Sequence, residues 1–432
     1  LAIVLAAGKG ERMRPLTLTR PKVLLEVGGK PLLSYTLEAL RAAGVGNAIL
    51  VVNYMEEVIK SWLGDGGRFG LEVRYVRQAE TRGTADAIAC ATELAEGEES
   101  VLVVYGDLFI TPEALGAVLA EHSKHKPLAT IAAARVKEPG QFGMVVAEGG
   151  WLRELVEKPV TWEGPPLANA GIYVLTPEAL EAMKAVHPSE RGELEATDAL
   201  KALAREGDTV RVAELKAEDW LDVGRPWDLL EANERALRRL KPAILGRVET
   251  GASLNGPVVV AEGARVRSGA YVEGPAFIGP GADVGPNCYI RPCTSLGARV
   301  RIGNACEIKN SIVMEGTHIG HLSYVGDSII GAYCNLGAGT ITANLRFDKA
   351  NVRVTVKGVE VDTGRRKLGV IMGDFVQTGI GALFMPGVRV WPCCWIGANV
   401  VVERDITEEG RFVRLKQELA VGEVPKAEEK SG

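Results

Sequence analysis

Ile278-Gly279-Pro280-Gly281-Ala282-Asp283-Val284-Gly285-Pro286-Asn287-Cys288-Tyr289-Ile290 is the stretch that decides the fold of the second half of this chain. Its aliphatic residues stand six apart. The same beat runs back through Leu254, Val260, Val266 and Val272, and on through Leu296, Ile302 and Ile308. A fixed period sustained this long marks a repeat architecture. Six residues make one short strand and one tight turn. Three such units close a triangular coil, and stacked coils form a parallel β-helix with the aliphatics inside. Gly follows the aliphatic at 279, 285, 297 and 303, which predicts turns that need positive φ.

The beat slips by one residue near Val313 and resumes at Ile319, Val325, Ile330 and Leu336. It breaks over 343–369, a charged stretch that reads as a loop ejected from the coil, and returns at Val390, Ile396 and Val402. A charged tail, 422–432, closes the chain.

The first half reads differently. Ala2–Ala6, Asn47–Val52, Val101–Tyr105, Ala129–Ala133 and Ala170–Leu175 have the apolar continuity of buried strands. Pro31–Ala43, Thr84–Leu94 and Pro112–Lys124 read as helices between them. This alternation predicts an α/β Rossmann-like domain with a mainly parallel sheet. A further helix follows over 226–240, with Pro226 in its first turn and a basic end that suits the helix dipole. The expected organisation is a first domain over 1–240, a linker at 241–250 and a β-helix over 251–421.

Bulk properties narrow the function. A net charge of −5 without a basic cluster argues against nucleic acid as a partner. No stretch is apolar for long enough to span a membrane, and Leu1–Ala7 lacks the form of a secretory signal, so a cytoplasmic protein is expected. The seven cysteines form no C-x-x-C pair and read as reduced structural thiols.

Chemistry enters directly after the first strand. Leu5-Ala6-Ala7-Gly8-Lys9-Gly10-Glu11-Arg12 places a Gly-rich turn where backbone N–H groups can approach phosphate. Arg14, Arg20 and Lys22 add cations suited to a polyphosphate. The run L-A-A-G-x-G-x-R-M…R-P-K resembles the signature of sugar-1-phosphate nucleotidylyltransferases. Gln78 with Gly83-Thr84-Ala85, Tyr105-Gly106-Asp107, Phe142-Gly143, Glu157-Lys158-Pro159, Asn169-Ala170-Gly171 and Asp222-Val223-Gly224 continue that resemblance in order. It implies that Leu5, Ala6, Ala7, Gly8, Gln78, Gly83 and Thr84 bind the nucleotide, UTP or dTTP. It implies that Gly143, Glu157, Lys158 and Asn169 bind the sugar 1-phosphate, and that Asp107 and Asp222 hold Mg²⁺. Arg12 would clamp the leaving pyrophosphate and Lys22 would neutralise the attacking phosphate.

The β-helix carries a polar cluster around His321. Gly320-His321-Leu322-Ser323-Tyr324-Val325-Gly326-Asp327 and Asn335-Leu336-Gly337-Ala338-Gly339-Thr340-Ile341-Thr342-Ala343-Asn344 resemble the bifunctional bacterial uridylyltransferase/acetyltransferases that make UDP-N-acetylglucosamine. The resemblance covers nearly the whole chain. It implies a left-handed coil, acetyl-CoA as co-substrate, a homotrimer, and His321 as general base, since an imidazole titrates near neutrality. Arg291, Lys309, Tyr324, Asn335 and Asn344 fall at its substrate positions, and cations of the ejected loop are expected to reach a neighbouring subunit's acetyl-CoA. The chain departs from the pattern at Asp86, where that family has His, at Asp222, which is closer to the glucose-1-phosphate thymidylyltransferases, and after Asn344, where Leu345-Arg346-Phe347-Asp348 replaces Y-D-G. UTP against dTTP stays open, as does the alternative of a UDP- or dTDP-glucose-type pyrophosphorylase with a purely structural β-helix.

Overall fold

The computed structural model describes residues 1–189 and 191–422. The tail expected over 422–432 therefore lies, except for Gly422, outside the described residues.

The first half builds a nine-stranded sheet. Ala2–Leu5 lies between Asn47–Val52 and Val101–Tyr105, parallel to both, and Glu72–Arg77 closes that edge. The sheet is mixed rather than mainly parallel. Leu167–Leu175 runs antiparallel to both Val101–Tyr105 and Ala129–Arg135, and Gly143–Glu148 pairs antiparallel with Trp151–Glu157. The expectation failed because no α-helix separates the strands between Ala129–Arg135 and Leu167–Leu175, and strands joined without a crossover pair antiparallel; helices return at Pro177–Lys184 and Ala196–Ala204, after which Val210–Leu215 runs parallel to Ala129–Arg135. Apolar layers cover both faces.

From Ala243 the chain winds through stacked coils whose strands form three parallel ladders, the faces of a left-handed β-helix. The inward positions of the first face are Val260, Ile278, Leu296, Val313, Ile330, Met372 and Val390; the other faces follow the same rule, and all of these are buried. Three expectations change. Ala243–Ile244 and Arg247–Val248 already pair with the next coil, so 241–250 is the opening of the prism and not a linker. The beat returns at Met372, earlier than Val390, because Thr378 and Phe384 fill positions where an aliphatic was sought. The glycines after the aliphatics at 279, 297 and 303 serve stacking: a Cβ there would lie 2.7 Å from the carbon of Gly297, 2.8 Å from the nitrogen of Glu315 and 1.9 Å from the oxygen of Gly320. Of the four, only Gly285 has positive φ, and corners elsewhere place Arg299, Ala305 and Asn310 there.

From Ser295 onward the first face is covered. Its outward residues Ile312, Ile329 and Ile371 are buried against Trp227, Leu229 and Leu230 of the helix Pro226–Arg238 and against Leu16, Leu25 and Phe109. Asn233, fully buried on that helix, accepts from Gly28 N at 2.8 Å and Ser295 Oγ at 2.5 Å and donates to the Cys293 carbonyl at 2.9 Å. Thr19 Oγ1 and Arg20 Nη2 donate to Asp374 of the β-helix at 2.7 and 2.5 Å. Arg20 is therefore a joint between the domains.

The segment ejected from the coil forms a hairpin, Arg353–Val356 with Val359–Asp362. It folds back on the first domain. Val352 and Val354 join the shared core, Arg365 pairs with Glu234 at 2.8 Å, and Lys357 pairs with Glu11 at 2.8 Å. Lys357 and Arg365 of this segment thus face the chain's own first domain.

Replacing Asn233 by Ala orphans a buried N–H, a hydroxyl and a carbonyl, at about 1–3 kcal/mol for each one left unpaired. Urea unfolding followed by tryptophan fluorescence should show a loss of roughly 3 kcal/mol or more. A change within about 0.5 kcal/mol, as for an ordinary surface residue, would contradict this account of the joint.

Candidate functional site

Strand ends assemble the first site. The strand Ala2–Leu5 delivers the Gly8–Arg12 turn, whose Gly10 adopts positive φ, with its carbonyl accepting from Thr17 Oγ1 at 2.8 Å. Val101–Tyr105 delivers Asp107. Trp220–Asp222 pairs antiparallel with Leu108–Ile110, and the register Asp222↔Leu108 sets Asp222 beside Asp107. Lys22 bonds Asp107 Oδ2 at 2.5 Å. Burial pushes the Asp222 carboxyl up; Lys22 opposes the rise and the charge of Asp107 adds to it.

A cavity of about 440 Å³ opens over this group, lined by Leu5, Ala6, Gly8, Arg12, Lys22 and Asp107 among others. A Cβ on Gly8 would meet nothing within 4 Å, so the backbone there is open to a ligand. Arg12 also lines a second cavity of about 170 Å³ with Asp222, Thr84, Gly143, Glu157, Lys158 and Asn169. One guanidinium thus borders both spaces; Asp107 lines the larger and Asp222 the smaller. Two hard oxygen donors beside a phosphate-sized, cation-rich cavity fit a divalent ion such as Mg²⁺.

In the smaller cavity, Asn169 Nδ2 donates to Tyr173 OH at 2.7 Å, and Tyr173 is 3.0 Å from Tyr105 OH. Glu157 stands opposite Gly143, where a Cβ would crowd its Oε2 at 2.6 Å, and Lys158 pairs with it at 3.6 Å. Burial, then the nearby Glu195, push the Glu157 carboxyl up.

Ala7, Gln78 and Gly83 do not front the larger cavity. Gln78 is buried, and its Nε2 donates to Gly83 O at 3.1 Å and Asp86 Oδ2 at 2.8 Å. Both amide protons are spent internally, so only its carbonyl is left to accept from a base. Asp86, which departs from the resembled pattern, is what holds the amide this way. Thr84 Oγ1 accepts from Ala196 N at 2.9 Å, tying the segment to the chain around 194–196. Arg191, Glu193 and Glu195 frame the site from this side; no repeat or recognisable spacing marks them in the sequence.

The second site lies on the β-helix. Asp327, nearly fully buried, gathers three of the expected residues or their neighbours: Lys309 Nζ at 2.7 Å, Asn344 Nδ2 at 2.5 Å and Asn310 Nδ2 at 2.9 Å. Asn344 also donates to Tyr324 OH at 3.1 Å. Arg291 pairs with Glu307 at 2.8 Å on the same face. His321 and Asn335 belong to the neighbouring face, where Asn335 aligns with His318 rather than His321. Both are exposed, and among the described residues the His321 imidazole makes no hydrogen bond. One chain therefore groups Lys309, Tyr324 and Asn344 on one face and carries His321 and Asn335 on the face before it. Among the described residues no helix is long and apolar enough to cross a membrane.

Two family models match the chain: one described as nucleotidyl transferase, over residues 1–239, and one described as GMPPB C-terminal domain, over residues 272–367. Bifunctional protein GlmU of Methanocaldococcus jannaschii is 44% identical over 97% of this chain and 98% of its own length. A bifunctional sugar-1-phosphate nucleotidylyltransferase/acetyltransferase of Sulfurisphaera tokodaii is 39% identical over 94% and 98%. A glucose-1-phosphate thymidylyltransferase of Streptomyces griseus is 37% identical over 87% and 92%. With a nucleotidyl transferase domain joined to a β-helix, and with this similarity running from end to end, the chain belongs to the GlmU-type family of bifunctional sugar-1-phosphate nucleotidylyltransferases/acetyltransferases.

Proposed function

We propose that this enzyme acetylates glucosamine 1-phosphate with acetyl-CoA on the β-helix and then transfers UMP from UTP to the N-acetylglucosamine 1-phosphate so formed. The observation that carries the first-domain reading is that Arg12 borders both cavities, with Asp107 lining the larger and Asp222 the smaller. A triphosphate in the larger space and a sugar in the smaller one meet there.

In this reading the Gly8–Arg12 turn and Arg12 hold the β- and γ-phosphates. Lys22 neutralises the phosphate of the sugar, whose oxygen attacks the α-phosphorus as pyrophosphate departs. Asp107 and Asp222 hold Mg²⁺, which when bound supplies charge neutralisation for the transferring group. Gly143, Glu157, Lys158 and Asn169 orient the sugar. The Gln78 carbonyl accepts the imide N–H of the base, a group shared by uracil and thymine, so UTP and dTTP belong side by side in the assay.

On the β-helix, Arg291 and Lys309 draw the sugar phosphate and Tyr324 and Asn344 position it. The C2 amine, as the free base, forms a bond to the thioester carbonyl while His321 takes a proton from its nitrogen; the C–S bond breaks, and the departing CoA sulfur takes that proton from His321 and leaves as the thiol. The exposure of His321 and Asn335 on the adjoining face is compatible with a site completed between the subunits of a homotrimer.

Three outcomes follow. Asp107→Ala and Asp222→Ala should each remove pyrophosphate release while thiol release from acetyl-CoA persists; near-normal nucleotidyl transfer in either variant would reject the metal assignment. His321→Ala should cut thiol release with glucosamine 1-phosphate by about 10²–10⁴-fold, the usual cost of a lost general base. Uridylyl transfer to supplied N-acetylglucosamine 1-phosphate should stay unchanged. Absence of thiol release in the wild type, across amino-sugar phosphates, would make the β-helix a scaffold. Light scattering should give three times the chain mass, and a monomer at working concentration would sink the shared-site reading.

A further inference from the structure

The turn of the hairpin ejected from the β-helix reaches the mouth of the larger cavity in the first domain. Lys357 lines that cavity together with Glu11, Arg12, Lys22 and Asp107. It comes from the other domain, 250 positions or more further along the chain than any of these.

Its placement is well determined. Val356 pairs with Val359, so Lys357-Gly358 forms a two-residue hairpin turn. Both residues have positive φ, at 50° and 81°, the backbone of a type I′ turn. The strands are anchored through Val352 and Val354 in the interdomain core and through the Arg365–Glu234 pair. The Lys357 ammonium lies 2.8 Å from Glu11 Oε2, and that contact holds the Glu11 carboxyl below its usual range. The pair is exposed, with side chains about 60% and 43% accessible. An ion pair so exposed contributes little to stability. An ammonium this exposed, at the edge of the cavity, can exchange its carboxylate partner for a phosphate.

We propose that Lys357, delivered by the β-helix, binds the β- and γ-phosphates of the nucleoside triphosphate and then the departing pyrophosphate, leaving Glu11 when they arrive. This rests on the reading of the larger cavity as the triphosphate site. In the transfer, the sugar-phosphate oxygen forms a bond to the α-phosphorus. The bond from that phosphorus to the bridging oxygen breaks, and pyrophosphate keeps the electron pair. Lys357 takes up part of that charge. It changes no covalent bond, so it is a binding residue for the leaving group.

The reverse reaction reads the contact directly. In the full-length enzyme, with UDP-N-acetylglucosamine and Mg²⁺ saturating, the KM for inorganic pyrophosphate is measured. Lys357→Asn removes the cation and suits the left-handed turn better than Lys, so folding is retained. It should raise that KM roughly five- to tenfold, more at low salt, as the loss of one charge-assisted contact predicts. The KM for the sugar nucleotide should stay unchanged. Lys357→Asn is then repeated in a Glu11→Gln background. If Lys357 touches pyrophosphate, the rise persists there. If Lys357 only positions the Gly8–Arg12 turn through Glu11, the rise vanishes, because its partner is already gone, and the proposal fails. An unchanged KM in the single variant also overturns it. Arg12→Ala separates the two levels. If it raises the pyrophosphate KM while Lys357→Asn does not, only Lys357 is wrong. If neither moves it, the triphosphate reading of the cavity fails.

Discussion

No coil of this β-helix is complete by itself. Each one buries only a few side chains per face, and the backbone groups of its strands find partners in the coils above and below. Glycines such as Gly279, Gly297 and Gly303 let the coils approach that closely. The same dependence extends sideways. The first face carries a second layer of apolar residues on its outside, Ile312, Ile329 and Ile371, and these are covered by the first domain. The nucleotidyl domain is thus part of the coat of the prism, and the prism is part of the base of the nucleotidyl domain.

The loop that carries the phosphate-facing residues sits on this seam. Thr19 and Arg20 are bonded to Asp374 just before Lys22, and Glu11 is bonded to Lys357 just before Arg12. Lys22 in turn holds Asp107. The residues proposed above to hold phosphate and metal therefore take their positions partly from the β-helix. The acetyl side is built otherwise: Asp327 organises Lys309, Asn310 and Asn344 within one face, by contacts between neighbouring coils.

The repeat was legible because steric closure of a triangular coil imposes a period that few other folds share. The segments around both candidate sites follow a recognisable order along the chain, and the cavities gather most of the first-domain set. What escaped reading lies in contacts between distant segments. Arg20 looks like any phosphate cation until Asp374 stands beside it. The beat was lost at Thr378 and Phe384, because a hydroxyl paired inside the prism and a bulky ring both fill its interior. The strands at Ala243 and Arg247 are too short and polar to announce themselves, and they gain order from the coil stacked on them. One signal was available and unused. The doublets Ile312-Val313, Ile329-Ile330 and Ile371-Met372 put apolar residues on both sides of one face, which is the mark of a face that is covered.

Two of the coils are one residue shorter than the rest, and both shorten at the corner leading into that covered face: Ile308 is followed by Val313, and Val325 by Ile330, at equivalent inward positions. In an ordinary sheet, losing one residue turns every later side chain to the opposite surface. Here Ser311 and Ser328 sit buried in the clipped corners, and their hydroxyls accept from the next coil at Ser328 N and Val370 N. The frame is restored at the next strand. Deletions in this architecture are therefore absorbed one corner at a time, and its heredity counts sides of a triangle, not residues.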